Sequence, residues 1–163
     1  MKRLTATIYL TLAVLLGGVG VSWGADLQKG FSALSKGDYA TALRELKPLA
    51  EKGNSFAQAT LAEMYGDGLG VEQNYNTAVK WWKLAAEQGN NYAHEMLGFM
   101  YAKGRGVIRD NVYAYMWLNV AAATGLSNAV KNLDILEKQM TTAQIAEAQK
   151  LARECVRKKY KGC

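Results

Sequence analysis

Few residues in this chain of 163 have the types that catalysis or metal binding requires. There is one histidine, His94, and there are two cysteines, Cys155 and Cys163. A structural zinc site takes about four Cys or His ligands, so a site built from these residues alone is excluded. We predict no metal site and no cofactor. A nucleophilic pair would require Cys155, in the last predicted helix, to meet His94, which we do not expect.

The serine and carboxylate patterns also argue against a catalytic site. No serine is followed three residues later by lysine, and the one Gly-x-Ser-x-Gly match, at residues 20–24, lies in the uncharged N-terminal run. These are the nucleophile motifs of β-lactamases and of α/β-hydrolases. We therefore predict that the protein is not an enzyme, with a hydrolase of the β-lactamase type as the alternative. His94 is interpreted as a polar residue of a groove or of the surface, and Glu63, Asp67 and Glu95 as solvated rather than as an acid–base pair.

The first 24 residues have the layout of a secretory signal. Two basic residues precede an uncharged, largely apolar run that extends to Asp26, and the small residues Ser22 and Gly24 stand before a cleavage site at Ala25. We predict that residues 1–24 are a signal peptide and that the protein is exported, to the periplasm or out of the cell. An uncleaved anchor is the alternative, because an uncharged run of this length is long enough to span a bilayer.

A period of 36 residues organises the remainder of the chain. Gly53, Gly89 and Gly125 follow this spacing, as do several alanine and leucine positions. Residues 54–89 aligned with residues 90–125 give 13 identities over 36 positions, where composition alone would give roughly two or three. Self-similarity at a fixed period of this length is the signature of a solenoid.

Each unit contains two segments with helical spacing of apolar residues. Ala57, Leu61 and Met64 lie on one face of the first segment, and the second segment has the same spacing. Glycine-rich turns separate the two, so each unit is predicted to be a pair of antiparallel helices and the fold to be all-α. Three tryptophans are interpreted as core rather than as a stacking platform: Trp81, Trp82 and Trp117.

The predicted organisation has five parts, and the terminal unit departs from the repeat. Pro48 interrupts a helix, and Glu45 replaces the tryptophan of the other units, as is typical of a capping unit with a solvated outer face. The five parts are the signal peptide (1–24), an N-terminal capping helix pair (25–53), two repeats (54–89 and 90–125), and a C-terminal helix pair with a basic tail (126–163).

The repeated pattern resembles the Sel1-like repeat, a relative of the tetratricopeptide repeat (TPR). The resemblance is carried by a Gly-x-Gly-Val turn in each unit (Gly68, Gly70 and Val71; Gly104, Gly106 and Val107) and by an Ala-Ala-x-x-Gly end (Ala85, Ala86 and Gly89; Ala121, Ala122 and Gly125). It implies a curved, right-handed α/α solenoid that serves as a protein-binding scaffold, often in envelope or secretion-related assemblies. It implies no universal ligand.

Binding candidates are the first-helix positions that differ between units and face the predicted concave side. Phe99 is the most informative, because its counterpart is Glu63 and the repeat does not require an apolar residue there. Burial by a neighbouring helix is the alternative reading of Phe99. The predicted groove residues are Gln58, Glu63, Tyr92, Glu95, Phe99 and Lys103.

The two cysteines are predicted to form an intramolecular disulfide, which suits an oxidising compartment. A continuous helix would hold the two Cα atoms ~12 Å apart, so the helix must end before Cys163, and Gly162 favours a reversal there. Intermolecular pairing and free thiols are the alternatives.

The positive charge is concentrated at the two ends of the chain. Of the net charge of +6, Lys2 and Arg3 carry +2 and residues 150–163 carry +5, which leaves −1 for residues 4–149. This distribution argues against nucleic acid as a partner. The sequence therefore predicts an exported scaffold, an adaptor in the bacterial cell envelope, that binds an unidentified protein or peptide in its concave groove. Binding of anionic envelope surfaces by the basic tail is the alternative.

Overall fold

A computed structural model describes residues 21–163, and all regular secondary structure in that range is helical. The helices are α1 (Val21–Ser35), α2 (Tyr39–Glu51), α3 (Ser55–Asp67), α4 (Tyr75–Ala86), α5 (Asn91–Lys103), α6 (Asn111–Ala122), α7 (Ser127–Glu137) and α8 (Thr142–Arg157). The prediction of an all-α fold is confirmed.

Short polar side chains begin the helices of the two central repeats. The side chains of Asn74 and Asp110, which begin α4 and α6, accept hydrogen bonds from backbone amides in the first helical turn. Asn54 and Asn90 do the same for α3 and α5. Each cap satisfies an amide that has no partner within its helix. The boundaries of the central helices are therefore encoded by residues that recur at the repeat period.

The glycine-rich turns let neighbouring units approach closely. Gly70 and Gly106 adopt positive φ, and a side chain at these positions would collide with Tyr39 and with the backbone of Tyr75, respectively. Only glycine combines this backbone conformation with the missing Cβ. The second glycine of each turn is thus required by the stacking of units and not by a ligand.

The helices stack as antiparallel pairs. α1 packs on α2, α3 on α4 and α5 on α6, and adjacent pairs meet through α2 with α3 and α4 with α5. The result is an α/α solenoid. The sequence predicted a C-terminal helix pair, and in the structure the main packing partner of both α7 and α8 is α6.

The core runs along the centre of the stack. Ala57, Ala93 and Ala129 are fully buried at equivalent positions, where their small side chains let helices approach. Trp82 and Trp117 are buried, which confirms the interpretation of the tryptophans as core, and Trp81 is partly buried against the same cluster.

The N-terminal unit has the polar surface predicted for a cap. Glu45 forms ion pairs with Lys29 (2.9 Å) and Arg44 (3.2 Å), and Pro48 lies on an exposed position of α2. Residues 1–20 of the predicted signal peptide lie outside the described residues. Among residues 21–163, no helix has the length and apolar character needed to cross a bilayer.

A disulfide closes the C-terminal end. Cys155 and Cys163 are bonded, with their Cα atoms 5.5 Å apart. α8 ends at Arg157, and Lys159, Tyr160 and Gly162 adopt positive φ as the chain reverses. The predicted intramolecular bridge and the reversal at Gly162 are confirmed.

Candidate functional site

A cleft of about 80 Å³ lies between the first helices of the two central repeats, α3 and α5. Trp82 of α4 lines it as well, and the turn after α5 contributes Arg105. The remaining lining residues are Ala62, Glu63, Gly66 and Asp67 of α3, Tyr75 of α4, and Tyr92, Met96, Phe99 and Met100 of α5. The cleft combines aromatic walls with charged groups, which is typical of a recognition site.

Three of the six predicted groove residues line this cleft together: Glu63, Tyr92 and Phe99. Glu95 and Lys103 belong to the same helix as Tyr92 and Phe99 but lie outside the lining. Glu95 is partly buried, and Lys103 is exposed in the last turn of α5.

Gln58 is not a groove residue. It is only 4% exposed, and its Nε2 donates to the carbonyl oxygen of Ala50 at 3.0 Å. Its Oε1 accepts a hydrogen bond from Nε2 of Gln88 at 2.7 Å. The prediction was wrong because variation between repeats marked a position that holds helix ends together, and this requires a buried polar side chain.

His94 has the equivalent place in the next repeat and is also buried, with 0% exposure. Its Nε2 donates to the carbonyl oxygen of Ala86 at 2.9 Å, and its ring packs against those of Trp117 and Tyr160. Burial lowers the pKa of His94, while the bond to Ala86 acts in the opposite direction. The interpretation of His94 as a groove or surface residue is therefore wrong.

Arg105, which the sequence analysis did not select, forms one end of the cleft. Its guanidinium lies over the ring of Tyr75 at 5.2 Å and over the ring of Phe99 at 5.4 Å from the centroids. Such contacts are cation–π interactions. A signal was present in the sequence, because Arg105 replaces Leu69 of the preceding unit.

Glu63 in the cleft and Glu95 beside it are partly removed from water. Burial, with a smaller contribution from Asp67, raises the pKa of Glu63 to about 7. Burial also raises the pKa of Tyr92, and the neighbouring charges of Glu63, Glu95 and Asp67 add to that shift. The pKa of Glu95 is raised by burial alone. Glu63 and Glu95 are therefore half-buried rather than fully solvated as predicted, whereas Asp67 is exposed, in agreement with the prediction.

A second cleft, of about 120 Å³, lies beside the disulfide, between α6, α8 and the tail. It is lined by Tyr113, Met116, Leu151, Glu154, Cys155, Lys158, Gly162 and Cys163. Tyr113 and Met116 belong to the second repeat, and the other lining residues come from the segment that closes the solenoid. Across residues 21–163, no three His, Cys, Asp or Glu side chains are grouped as metal ligands would be.

The fold defines a class of protein, the helical-repeat solenoid, here with a cleft between the first helices of its two central repeats. Within that class, the Sel1 repeat family model matches residues 55–90 and 91–126. A crystal structure of a Sel1 repeat protein from Oxalobacter formigenes is 34% identical, with a TM-score of 0.55, over 67% of this chain and 97% of that one. The chain belongs to the Sel1-like repeat family.

A longer relative supports the fold. The protein c5321, a protective antigen present in uropathogenic Escherichia coli strains that displays an SLR fold, matches 95% of this chain with 26% identity and a TM-score of 0.70. The chain spans 31% of the length of that protein. A search of the curated proteins found no match. Sel1 repeat proteins are in general non-catalytic scaffolds for protein interactions.

Proposed function

We propose that this protein is an exported scaffold of the bacterial cell envelope that binds a protein or peptide partner through the surface formed by α3 and α5. The observation that carries the proposal is the cleft between these helices, where Glu63, Tyr92 and Phe99 meet. Phe99 and Glu63 occupy the same repeat position, so the repeat itself does not require this combination. A rigid solenoid can present such side chains without a large cost of ordering on binding.

Export is supported by the N-terminal pattern and by the disulfide. A basic start followed by an apolar run and small residues is typical of a signal peptide. The bond between Cys155 and Cys163 is compatible with an oxidising compartment. Fractionation of the native cells, with mass determination of the N-terminus, tests both export and cleavage before Ala25.

An affinity pull-down from the native envelope tests the binding surface. The bait variants are the wild type, the Tyr92→Ala/Phe99→Ala double variant, and Ile135→Ala as a matched control. Ile135 is an exposed apolar residue of α7, away from the cleft. We expect the double variant to lose the partner that the wild type and the control recover, with unchanged helical circular dichroism. Equal recovery by all three would show that the partner binds elsewhere.

The basic tail supports a second candidate function, the binding of anionic envelope surfaces. Arg157, Lys158 and Lys159 are exposed beside one another at the end of α8. Cationic clusters of this kind attract anionic lipid surfaces at low ionic strength. Deletion of residues 156–163, assayed by co-sedimentation with anionic and neutral vesicles, separates this function from partner binding. A scaffold acting through α3 and α5 keeps its protein partner after the deletion.

A further inference from the structure

The cleft between α3 and α5 has an excess of negative charge at its wall. Glu63 and Asp67 both line it, and Arg105 is the one basic residue that does so among the described residues. We propose that the cleft holds a lysine or arginine side chain of the partner, with the charged end at Glu63 and Asp67 and the aliphatic stem against Tyr92 and Phe99. This inference rests on the proposed partner-binding function and specifies the chemistry of what is bound.

The two carboxyl groups have no basic partner within the part of the chain that the structure describes. The ion pairs of residues 21–163 join Glu45 with Lys29 and Arg44, and Glu87 with Lys161. The guanidinium of Arg105 lies over the rings of Tyr75 and Phe99 and forms no ion pair with either carboxyl group. A cation from a partner is therefore the charge that complements this surface.

The dimensions and walls of the cleft suit one long basic side chain. A space of about 80 Å³ is too small for a helix and is open at its mouth, so it admits a single side chain. The stems of lysine and arginine pack on apolar surfaces while their charged ends reach polar groups. Aromatic rings attract the cation as well. The walls at Tyr92 and Phe99 supply both kinds of contact.

A further polar group at the cleft has no protein partner. Trp82 lines the cleft and is fully buried, and its indole Nε1 has no acceptor within residues 21–163. An indole N–H that is removed from water is destabilising unless an acceptor reaches it.

Binding of a basic side chain in this cleft is expected to depend on pH. The titratable and charged groups around Glu63 are Asp67 on α3, Tyr75 on α4, Tyr92 and Glu95 on α5, and Arg105 in the turn. Because burial raises the pKa of Glu63 to about 7, a proton and a partner cation compete for this carboxylate. Affinity should rise as the pH increases through neutrality.

The test is a titration of the isotopically labelled protein with three capped tripeptides, followed by amide NMR shifts. The probes are acetyl-Leu-Lys-Leu-amide, its norleucine analogue, which keeps the stem without the charge, and its glutamate analogue. We expect the lysine peptide to give saturable shifts in residues 62–67 and 92–100. The norleucine peptide should bind about tenfold more weakly, and the glutamate peptide more weakly still.

Matched variants assign the effect to the two carboxyl groups. Glu63→Gln/Asp67→Asn should weaken the lysine peptide about tenfold, whereas Glu147→Gln, at an exposed position of α8, should leave its affinity unchanged. The affinity of the wild type for the lysine peptide should rise several-fold from pH 6 to pH 8, and Glu63→Gln should abolish this pH dependence.

Three results would overturn the proposal: equal affinity for the lysine and norleucine peptides, shifts confined to other helices, or no saturable shift with any peptide. These results leave the scaffold function standing if Tyr92→Ala/Phe99→Ala still loses the native partner. A different result would separate the two proposals. If that double variant retained the native partner while the wild type bound the lysine peptide specifically, the scaffold function at this surface would be rejected and the site for a basic side chain would stand.

Discussion

The two central repeats and the C-terminal unit differ in how the first helix of each unit is joined to the helix that precedes it. In the central repeats, Gln58 and His94 donate to the carbonyls of Ala50 and Ala86, each eight residues earlier. The equivalent residue of the last unit is Val130, which is 45% exposed and has no side-chain donor. In the central repeats, one position therefore joins consecutive helix pairs through a buried hydrogen bond, and this link is missing where the repeat pattern fades.

The C-terminal unit has other stabilising contacts instead. The disulfide loop brings Tyr160 over Gly89 and against the ring of His94, and Lys161 pairs with Glu87 at 3.7 Å. The tail thus covers the junction between the two central repeats. A disulfide therefore stabilises the end of the solenoid where the repeated hydrogen bonds stop.

The largest expected effect compares one leucine in the two regions. Leu97 is fully buried in the centre, whereas Leu133, at the equivalent position of α7, is partly buried. Leu97→Ala should lower the free energy of unfolding by about 2–5 kcal/mol because it leaves a cavity in close-packed surroundings. Leu133→Ala should cost less than half as much. Urea unfolding followed by circular dichroism measures both, and equal losses would refute the difference in packing between the regions.

Removal of the disulfide should produce the next largest effect. The bond closes a short loop between residues separated by eight positions. The loss of such a constraint costs about 2–3 kcal/mol in the chain-entropy model. Hydrogen exchange before and after reduction locates the loss, which should fall in α8 and the tail. If protection from hydrogen exchange in α3 and α5 fell equally, the disulfide would stabilise the whole stack rather than only its C-terminal end.

A smaller difference is expected at the position that joins consecutive pairs. Gln58→Ala should lower the free energy of unfolding by about 1 kcal/mol, because the amide of Gly53 still donates to the carbonyl of Ala50 after the side chain is lost. Val130→Ala should change it by no more than about 0.5 kcal/mol, as is usual for exposed positions. Thermal unfolding of the two variants side by side provides the measurement. A larger loss at Val130 would contradict the hydrogen-bond account.

A pH dependence of stability is also predicted for the central cleft. The pKa of Glu63 is about 7 in the folded protein, above its usual value, so the folded state retains a proton that the unfolded state releases. Its contribution to stability is complete at low pH and is lost as the pH rises through about 7. His94 has the opposite sign because burial lowers its pKa. The readout is therefore the difference between wild type and Glu63→Gln, which should grow between pH 5 and pH 8; a constant difference would contradict the burial of Glu63.

Most of the fold followed from the sequence because it repeats. The 36-residue period, the capping residues Asn74 and Asp110, and the turn glycines are local signals that directly encode helix ends. The packing of α7 and α8 on α6 was harder to predict from the sequence. The repeat signal weakens after Gly125, where Leu126 provides no side-chain cap, and the arrangement then depends on tertiary contacts.

Only part of the candidate site could be predicted from the sequence. Glu63, Tyr92 and Phe99 were selected because they vary on the first helices, and the structure does bring them together. Gln58 varies too, but its partner is a backbone carbonyl eight residues away, and sequence variation cannot distinguish a buried bond from an open surface. Arg105 was not predicted, because the turn that contains it is marked in the sequence by its repeated glycines rather than by a basic residue.

Photo-crosslinking in the native cell tests the central claim, partner binding on the surface of α3 and α5, most directly. A benzophenone amino acid placed at Lys103, exposed at the end of α5, should form an adduct with the partner. The same amino acid at Lys150, exposed on α8, serves as the control. The account predicts an adduct from position 103 that disappears when Phe99→Ala is added, and none from position 150. An adduct from position 150 alone, or one from position 103 that survives Phe99→Ala undiminished, would contradict it.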